Sequence, residues 1–221
     1  MSTLKKRVTK LMASICEACE NSDRDPTQVE LLPVSKHQSL MLIHEAKALG
    51  FTKFGENYVQ ESVKKHNFDN TIKFVLIGPL QSNKAKQAVM TFHEIMTVDR
   101  PTLAERLEKI TEQLDLVCPI WIQVNMWNES TKKSGCNFSE VQTIVNKLNG
   151  NMRLPIQGFM AIPPVLDTKA FSSMANLRNL WQQKLGHGLR LSMGMSTDFK
   201  QAIKYGSDQI RVGTAFFGVR Y

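Results

Sequence analysis

The sequence lacks the long apolar segments that membrane and secreted proteins carry. It has no run of ~18 consecutive apolar residues, so we expect no membrane span and no membrane partner. The basic N-terminal residues 1–7 are not followed by the apolar core of a signal peptide. With no secretory signal and four cysteines among 221 residues, the composition favours a reducing, cytoplasmic location.

Blocks of basic residues with interleaved aromatics, which are typical of nucleic-acid binding, are also lacking. The net charge of +8 comes from 28 basic and 20 acidic residues spread along the chain. None of the standard nucleic-acid motifs is present, so we expect no nucleic-acid partner. A diffuse positive charge favours binding of phosphorylated small molecules, or simply solubility.

Cysteine spacing does not predict a metal site. Cys16 and Cys19 form a C-x-x-C pair, but Cys118 and Cys136 are distant from each other, so a four-cysteine zinc site lacks its second pair. The pair lies in a helical apolar pattern and not after a strand. We therefore favour packing on a helix face over redox or metal chemistry.

Apolar periodicity predicts a regular alternation of strands and helices. A helix over residues 2–21 comes first. Eight predicted strands follow, with a helix after each of the first seven, at residues 29–36, 51–57, 71–77, 94–98, 119–126, 154–162, 189–193 and 209–212. Eight βα units in about 200 residues predict an α/β protein, a (β/α)8 TIM barrel with an extra N-terminal helix. The rival, an open doubly wound sheet, lacks a G-x-G-x-x-G after strand one. Without a linker or repeat, residues 1–221 are expected to form a single domain.

The first strand ends at a lysine, Lys36. Ligands of α/β proteins bind at the carboxyl ends of parallel strands. Partial desolvation there lowers the pKa of an amine and makes it a usable nucleophile toward a carbonyl. The alternative is an ordinary surface lysine that follows a strand.

Two segments near the C-terminus have the features of phosphate-binding loops. Arg211, Gly213 and Thr214 follow strand eight, where a glycine lets backbone N–H groups approach an anion. After strand seven, Ser196 or Thr197 could cap the next helix and leave free amides for a phosphate. Simple helix capping and a tight turn at the glycine are the alternatives. Phosphate loops opposite a nucleophilic lysine fit an aldehyde that bears a phosphate, and pyridoxal 5'-phosphate (PLP) is the common such cofactor.

Six motifs together resemble the signatures of the pyridoxal phosphate homeostasis proteins. They lie in the order of that family along essentially the whole chain, at residues 34–36, 54–61, 77–84, 160–163, 191–196 and 211–218. The resemblance implies an alanine-racemase-like barrel that binds PLP as a Schiff base on Lys36. Departures are a histidine at position 37 and a proline at position 79, neither of which changes the chemistry of the lysine.

The resemblance also implies roles for further residues. Arg211 would face the pyridine nitrogen, and Asn57 would lie near the ring. Ser196, Gly213 and Thr214 would hold the phosphate, while Ser192 and Met193 would line the same loop. The family implies a protein without established turnover that acts in vitamin B6 and amino-acid homeostasis, with PLP-dependent enzymes as clients. We expect a monomer.

The alternative function is a PLP-dependent amino-acid racemase. Two-base racemisation needs a second acid or base on the face opposite the lysine. Tyr58 and Tyr205 fall in or near predicted helices, Tyr221 is terminal, and His37 is expected to point away from Lys36. The sequence ends soon after strand eight, so we expect no β-rich domain to supply that base. A phosphate-sugar aldolase using Lys36 is a weaker third reading, because such a lysine usually comes from a middle strand.

Overall fold

The computed structural model describes residues 2–127, 134–164 and 167–219, and its centre is an eight-stranded parallel sheet. The strands run in the order β1-β8-β7-β6-β5-β4-β3-β2. Their bounds are β1 Glu30–Pro33, β2 Lys53–Glu56, β3 Lys73–Leu76, β4 Glu94–Val98, β5 Ile120–Val124, β6 Ile156–Ala161, β7 Arg190–Ser192 and β8 Gln209–Val212. All eight predicted strands are confirmed, and each observed strand is as long as its predicted range or shorter.

Helices follow the strands and cover the sheet. They are α1 Thr3–Glu20, α2 Leu40–Ala48, α3 Val59–Phe68, α4 Ala85–Thr91, α5 Pro101–Leu114, α6 Phe138–Leu148, α7 Thr168–Leu185, α8 Phe199–Lys204 and α9 Thr214–Phe217. The last of these was not predicted, since four residues are too few to show a helical period. No helix in the described ranges is long and apolar enough to cross a membrane.

The sheet closes almost completely into a barrel between β1 and β2. Just beyond β1, Val34 forms a parallel bridge with Gly55 of β2, and the Ser35 N–H donates to the Gly55 carbonyl at 2.9 Å. On its other side β1 pairs with β8 from Glu30 to Pro33. The predicted (β/α)8 architecture is therefore confirmed, and the end of β1 is held from both sides.

Large side chains fill the inside of the barrel. Leu32, Val75, Met96, Trp121 and Met160 form one buried cluster, separate from the layer between strands and helices. A filled interior leaves the rim at the carboxyl ends of the strands as the place for a ligand.

Helix α1 packs against α8 and α9. Cys19 is fully buried on this helix and Cys16 partly buried, which agrees with packing on a helix face. Burial raises the pKa of the Cys19 thiol, so this thiol is a poor nucleophile or metal ligand at neutral pH. Within the described ranges, no group of three or more His, Cys, Asp or Glu side chains is arranged to hold a metal ion.

Candidate functional site

A cavity of about 370 Å³ opens at the carboxyl ends of β1 and β8. Its volume lies in the range of ligand pockets, about 300 to 1,000 Å³. It gathers residues from strand ends far apart in sequence. The lining residues are Val34, Lys36, Asn57, Ile77, Ile162, Met195, Ser196, Thr197, Arg211, Gly213 and Thr214.

Lys36 enters this cavity from the loop that follows β1. Its side chain is half-buried. The ammonium forms no hydrogen bond or ion pair with any residue that the structure describes. The amine is therefore left available to a ligand.

Arg211 reaches the cavity from β8 and is 4% exposed. Its guanidinium donates to the Ser192 hydroxyl at 2.6 Å and to the Ala161 carbonyl at 2.8 Å. Burial lowers its pKa to about 10, partly offset by the field of Asp198, so it stays charged at neutral pH. Within the described residues it has no ion-pair partner, and two of its five N–H groups are used. A buried cation so arranged can donate further hydrogen bonds to a ligand.

The loops after β7 and β8 meet at one side of the cavity. The Ala215 N–H, at the start of α9, donates to the Ser196 hydroxyl at 3.4 Å, which ties the two loops together. The prediction that Ser196 or Thr197 caps the next helix is wrong, because α8 begins later and Asp198 is its N-cap. The Asp198 carboxylate accepts from the Met195 N–H at 2.6 Å and so shapes the loop from within. Ser196 and Thr197 are consequently left on the cavity wall.

Gly213 lines the cavity beside this loop. Its φ of −103° is open to any residue, so a tight turn does not require glycine here. An added Cβ would lie 3.5 Å from Val34, in ordinary contact. Neither the backbone conformation nor the neighbouring atoms therefore require a glycine at this position.

Asn57, just after β2, carries an unsatisfied polar atom. Its Oδ1 is buried and has no hydrogen-bond partner in the described part of the chain. Its backbone is fixed by Gly78, where a Cβ would lie 2.1 Å from the Asn57 carbonyl oxygen. Buried polar atoms are nearly always paired, so this one is a candidate ligand contact.

Ser192 and Met193, predicted to line the loop, lie behind the cavity wall. Both are fully buried and neither is a lining residue. The Ser192 hydroxyl donates to Gln209 and accepts from Arg211, so its contact with the site runs through the guanidinium. The Met193 N–H is taken up by Ser207 and Gln209.

Several lining residues were absent from the predicted site. Ile77 and Ile162 end the apolar runs of β3 and β6, a position that places them at the rim. Val34, Met195 and Thr197 flank predicted site residues in sequence. The signal for all five was adjacency to a strand end, which identifies a rim but not which side chain faces the cavity.

His37 and the tyrosines lie outside this cavity. The His37 side chain is 52% exposed and packs on the Tyr58 ring at a centroid distance of 5.2 Å, in a turn and not on the strand that the prediction assumed. Tyr58 lines a second cavity of about 690 Å³ that shares Asn57 with the first. Tyr205 packs against Phe171. Tyr221 lies outside the described residues.

The second cavity lies over the ends of β2, β3 and β4. Much of the motif at residues 77–84 lines this cavity, including Lys84. The Lys84 ammonium has no partner in the described ranges. Arg100 also lines it, with its guanidinium bonded to Asp99 and to the Leu80 carbonyl. Two open cavities with basic residues thus adjoin at Asn57.

Solved structures resemble the whole chain. PipY of Synechococcus elongatus, solved without PLP, matches with a TM-score of 0.87 and 32% identity over 98% of this chain and 100% of that one. The same protein solved with PLP bound matches with a TM-score of 0.85. An alanine racemase of Clostridium difficile matches at a TM-score of 0.72 over 95% of this chain and 56% of that one, and at 12% identity it shows the fold alone.

Sequence comparisons give the same result. The family model described as alanine racemase, N-terminal domain, matches residues 21–221. The pyridoxal phosphate homeostasis protein of Pseudomonas aeruginosa is 38% identical over 100% of this chain and 97% of its own length. The pyridoxal phosphate homeostasis protein of Escherichia coli K12 is 34% identical over 100% of this chain and 98% of its own length. The chain belongs to the alanine racemase N-terminal domain family and, within it, to the pyridoxal phosphate homeostasis proteins.

Proposed function

We propose that this protein binds PLP in the smaller cavity, as a Schiff base on Lys36, and acts as a carrier in vitamin B6 and amino-acid homeostasis without turnover of its own. The observation that carries the proposal is that Lys36 shares one cavity with the buried Arg211 and the two loops at Ser196 and Gly213. The Lys36 amine matches the aldehyde of PLP, and the Arg211 guanidinium, which has no carboxylate partner in the described residues, matches the ring nitrogen. The two loops match the phosphate.

PLP supplies an aldehyde that condenses with a primary amine and releases water. The Lys36 amine has no competing partner in the described residues and is free to react once deprotonated. The half-buried position in the cavity leaves the amine within reach of a bound aldehyde.

Arg211 determines how the ring would be held. A guanidinium donates hydrogen bonds and has no lone pair to accept one, so a nitrogen facing it stays unprotonated. An unprotonated pyridine nitrogen withdraws electrons weakly, which leaves carbanion chemistry poorly supported and exchange of the bound amine unaffected. That behaviour suits a carrier.

The loops after β7 and β8 would hold the phosphate. The hydroxyls of Ser196, Thr197 and Thr214 line the cavity, and the open backbone at Gly213 lets an anion approach. Asn57 lines the same cavity, and its buried Oδ1 has no hydrogen-bond partner in the described residues. Every predicted binding residue except Ser192 and Met193 thus lies on the wall.

The relatives support this reading. Those reported above are named pyridoxal phosphate homeostasis proteins, and PipY has been solved with PLP bound. We further propose that the carrier is cytoplasmic and monomeric and delivers the cofactor to PLP-dependent enzymes. Light scattering measures the molar mass of the PLP-loaded protein. The mass of one chain would support the monomer, and the mass of two chains would overturn it.

Racemase activity is the second candidate, because Tyr58 lines a cavity that adjoins the first at Asn57. The ring is half exposed and rests against His37. If wild type exchanges the α-proton of an amino acid for deuterium and Tyr58→Phe does not, the protein is a racemase. PLP binding without such exchange in wild type supports the carrier.

The test of binding is a spectrophotometric titration. We expect PLP to give a visible Schiff-base band in wild type, and Lys36→Ala to lose it. Lys84→Ala keeps the band if the smaller cavity is the site. Loss of the band in Lys84→Ala and its retention in Lys36→Ala would place the ligand in the larger cavity and overturn the proposal.

A further inference from the structure

Three charged side chains, those of Glu56, Glu61 and Lys65, are packed together next to the backbone that flanks Lys36. Lys65 of α3 donates to Glu56 of β2 at 2.6 Å and to Glu61 at 2.7 Å, one turn earlier on α3. Its third hydrogen bond, at 2.9 Å, goes to the carbonyl of Ser35. An ammonium has three N–H donors, so this group is fully satisfied. We call Glu56, Glu61 and Lys65 the rear cluster.

The rear cluster holds the backbone on both sides of Lys36. On one side the Ser35 hydroxyl donates to Glu56 at 2.7 Å, in addition to the bond from Lys65 to the Ser35 carbonyl. On the other side the His37 N–H donates to Glu61 at 2.7 Å. The residues directly before and after the lysine are therefore both fixed by charge-assisted hydrogen bonds.

His37 shows that this segment needs support. Its φ is +59°, in the left-handed region that non-glycine residues rarely adopt. The Glu61 carboxylate bonds its N–H and lies 3.4 Å from the Nδ1 of its ring. Uncommon backbone conformations of this kind persist where surrounding contacts over-determine them, and they cluster at functional sites.

Stability alone is a poor reason for the rear cluster. Glu56 is fully buried, its Oε2 has no partner in the described ranges, and burial raises its pKa despite Lys65. Removing charges from water is unfavourable, and apolar residues of similar volume often stabilise a core at least as well. None of the three side chains lines either cavity, so any effect on a ligand passes through the backbone at Ser35 and His37.

We propose that Glu56, Glu61 and Lys65 are positioning residues, which clamp the segment Ser35–Lys36–His37 and so aim the Lys36 amine into the cavity. The inference deepens the proposed function and rests on it. A misplacement on the order of 1 Å can lower a rate by on the order of 100-fold, so a clamp of this kind has a measurable effect on reaction at the amine.

Glu61→Ala is the variant that tests the clamp. Glu61 is 23% exposed, and its removal leaves the buried pair of Lys65 and Glu56 in place, so the variant is expected to fold. We expect the rate of Schiff-base formation with PLP to fall about tenfold or more. Glu61→Gln retains an oxygen acceptor for the His37 N–H and should recover most of that loss.

The matched control is Lys53→Met. Lys53 forms an equally short ion pair, 2.6 Å to Glu94, at the amino ends of the strands and far from the cavity. Its loss should lower the melting temperature without slowing reaction at Lys36. A readout independent of PLP is hydrogen exchange of the amides at residues 35–37, which should speed up in Glu61→Ala and not in Lys53→Met.

The proposal is overturned if Glu61→Ala reacts at the wild-type rate, or if the rates of all variants simply follow their melting temperatures. Schiff-base formation at Lys36 of the wild-type protein distinguishes failure of the clamp from failure of the proposed function. A wild-type protein that forms a Schiff base at Lys36 while Glu61→Ala behaves identically removes the clamp alone. A wild-type protein that forms none at Lys36 removes both.

Discussion

At the scale of single residues, the site depends on groups that the protein itself leaves unused. The Lys36 ammonium and the Asn57 Oδ1 have no partners in the described chain, and Arg211 uses two of its five donors. Buried groups in this condition are unfavourable unless water or a ligand pairs them. Their convergence on one cavity distinguishes a binding site from a set of surface side chains.

Gly213→Ala separates the phosphate contact from folding. The backbone conformation and the surrounding space both accept a Cβ, so we expect the variant to be unchanged or stabilised by about 0.5 kcal/mol. The Cβ occupies space that a phosphate would need, so the affinity for PLP should fall about tenfold, as for the loss of one charged hydrogen bond. Equilibrium titration with PLP, and with pyridoxal, which lacks the phosphate, measures this.

Affinity for pyridoxal should not change in Gly213→Ala. The matched control is Gly188→Ala, at a position with open space around it and outside the cavity lining. An equal loss of affinity for PLP and pyridoxal would show that Gly213 does not contact the phosphate.

The positions of strand ends and the family resemblance together predicted most of the residues that line the cavity. Lys36, Asn57, Ser196, Arg211, Gly213 and Thr214 all reach the cavity. Ser192 and Met193 do not, because both are fully buried, with the Ser192 hydroxyl bonded to Arg211 and Gln209. The rear cluster was not predicted, since nothing in the sequence shows that a lysine on α3 reaches back to the end of β1.

At the scale of elements, β1 has a different role at each end. Its carboxyl end leads to Lys36 in the cavity. At its amino end Glu30 lies between Arg190, 2.7 Å away, and Lys53, 3.7 Å away. In a barrel of this kind the amino ends of the strands serve stability and the carboxyl ends serve function.

Glu30→Gln tests the stabilising end. Burial raises the pKa of Glu30, but Lys53 and Arg190 outweigh it and hold the pKa below its usual range. A carboxyl whose pKa is lower in the folded state stabilises above its ordinary value of about 4.3, and this is lost as the pH falls through the folded pKa. We expect Glu30→Gln to lose about 1 kcal/mol at pH 7 and the difference from wild type to shrink as the pH falls below the ordinary carboxyl pKa of about 4.3.

Urea unfolding of the two proteins at several pH values measures this difference. Glu17→Gln is the control, because Glu17 pairs with Lys200 on the open surface and its loss should not change stability measurably. Curves of wild type and Glu30→Gln that stay equally far apart from pH 7 to pH 3 would contradict the assignment.

Element boundaries show where periodicity works and where it fails. The long helices α1 and α5 match their apolar patterns to within about two residues, the usual uncertainty at helix ends. The helix after β7 was predicted at residues 197–205 and is observed at Phe199–Lys204, also within two residues, with its start shifted by the turn at residues 195–198. The four-residue α9 after β8 was not predicted, because it is too short to show a helical period. These are the loops of the proposed phosphate site.

At the scale of the whole molecule, strict alternation of strands and helices was enough to predict the barrel. Right-handed βα units of this number close on themselves, and each strand end then reaches the same rim. The division of that rim into two adjoining cavities, which share Asn57, could not be predicted, because it depends on how the side chains pack at the rim. The charge of +8 is spread over the surface and does not by itself locate a site.

The most direct test of the account is to trap the bound cofactor. Wild type and Lys36→Ala would each be incubated with PLP at a limiting ratio, reduced with borohydride and mapped by mass spectrometry of the peptides. We predict that the label in wild type lies on Lys36, and that Lys36→Ala takes up little. Label spread evenly over the surface lysines, with wild type and Lys36→Ala alike, would contradict the account.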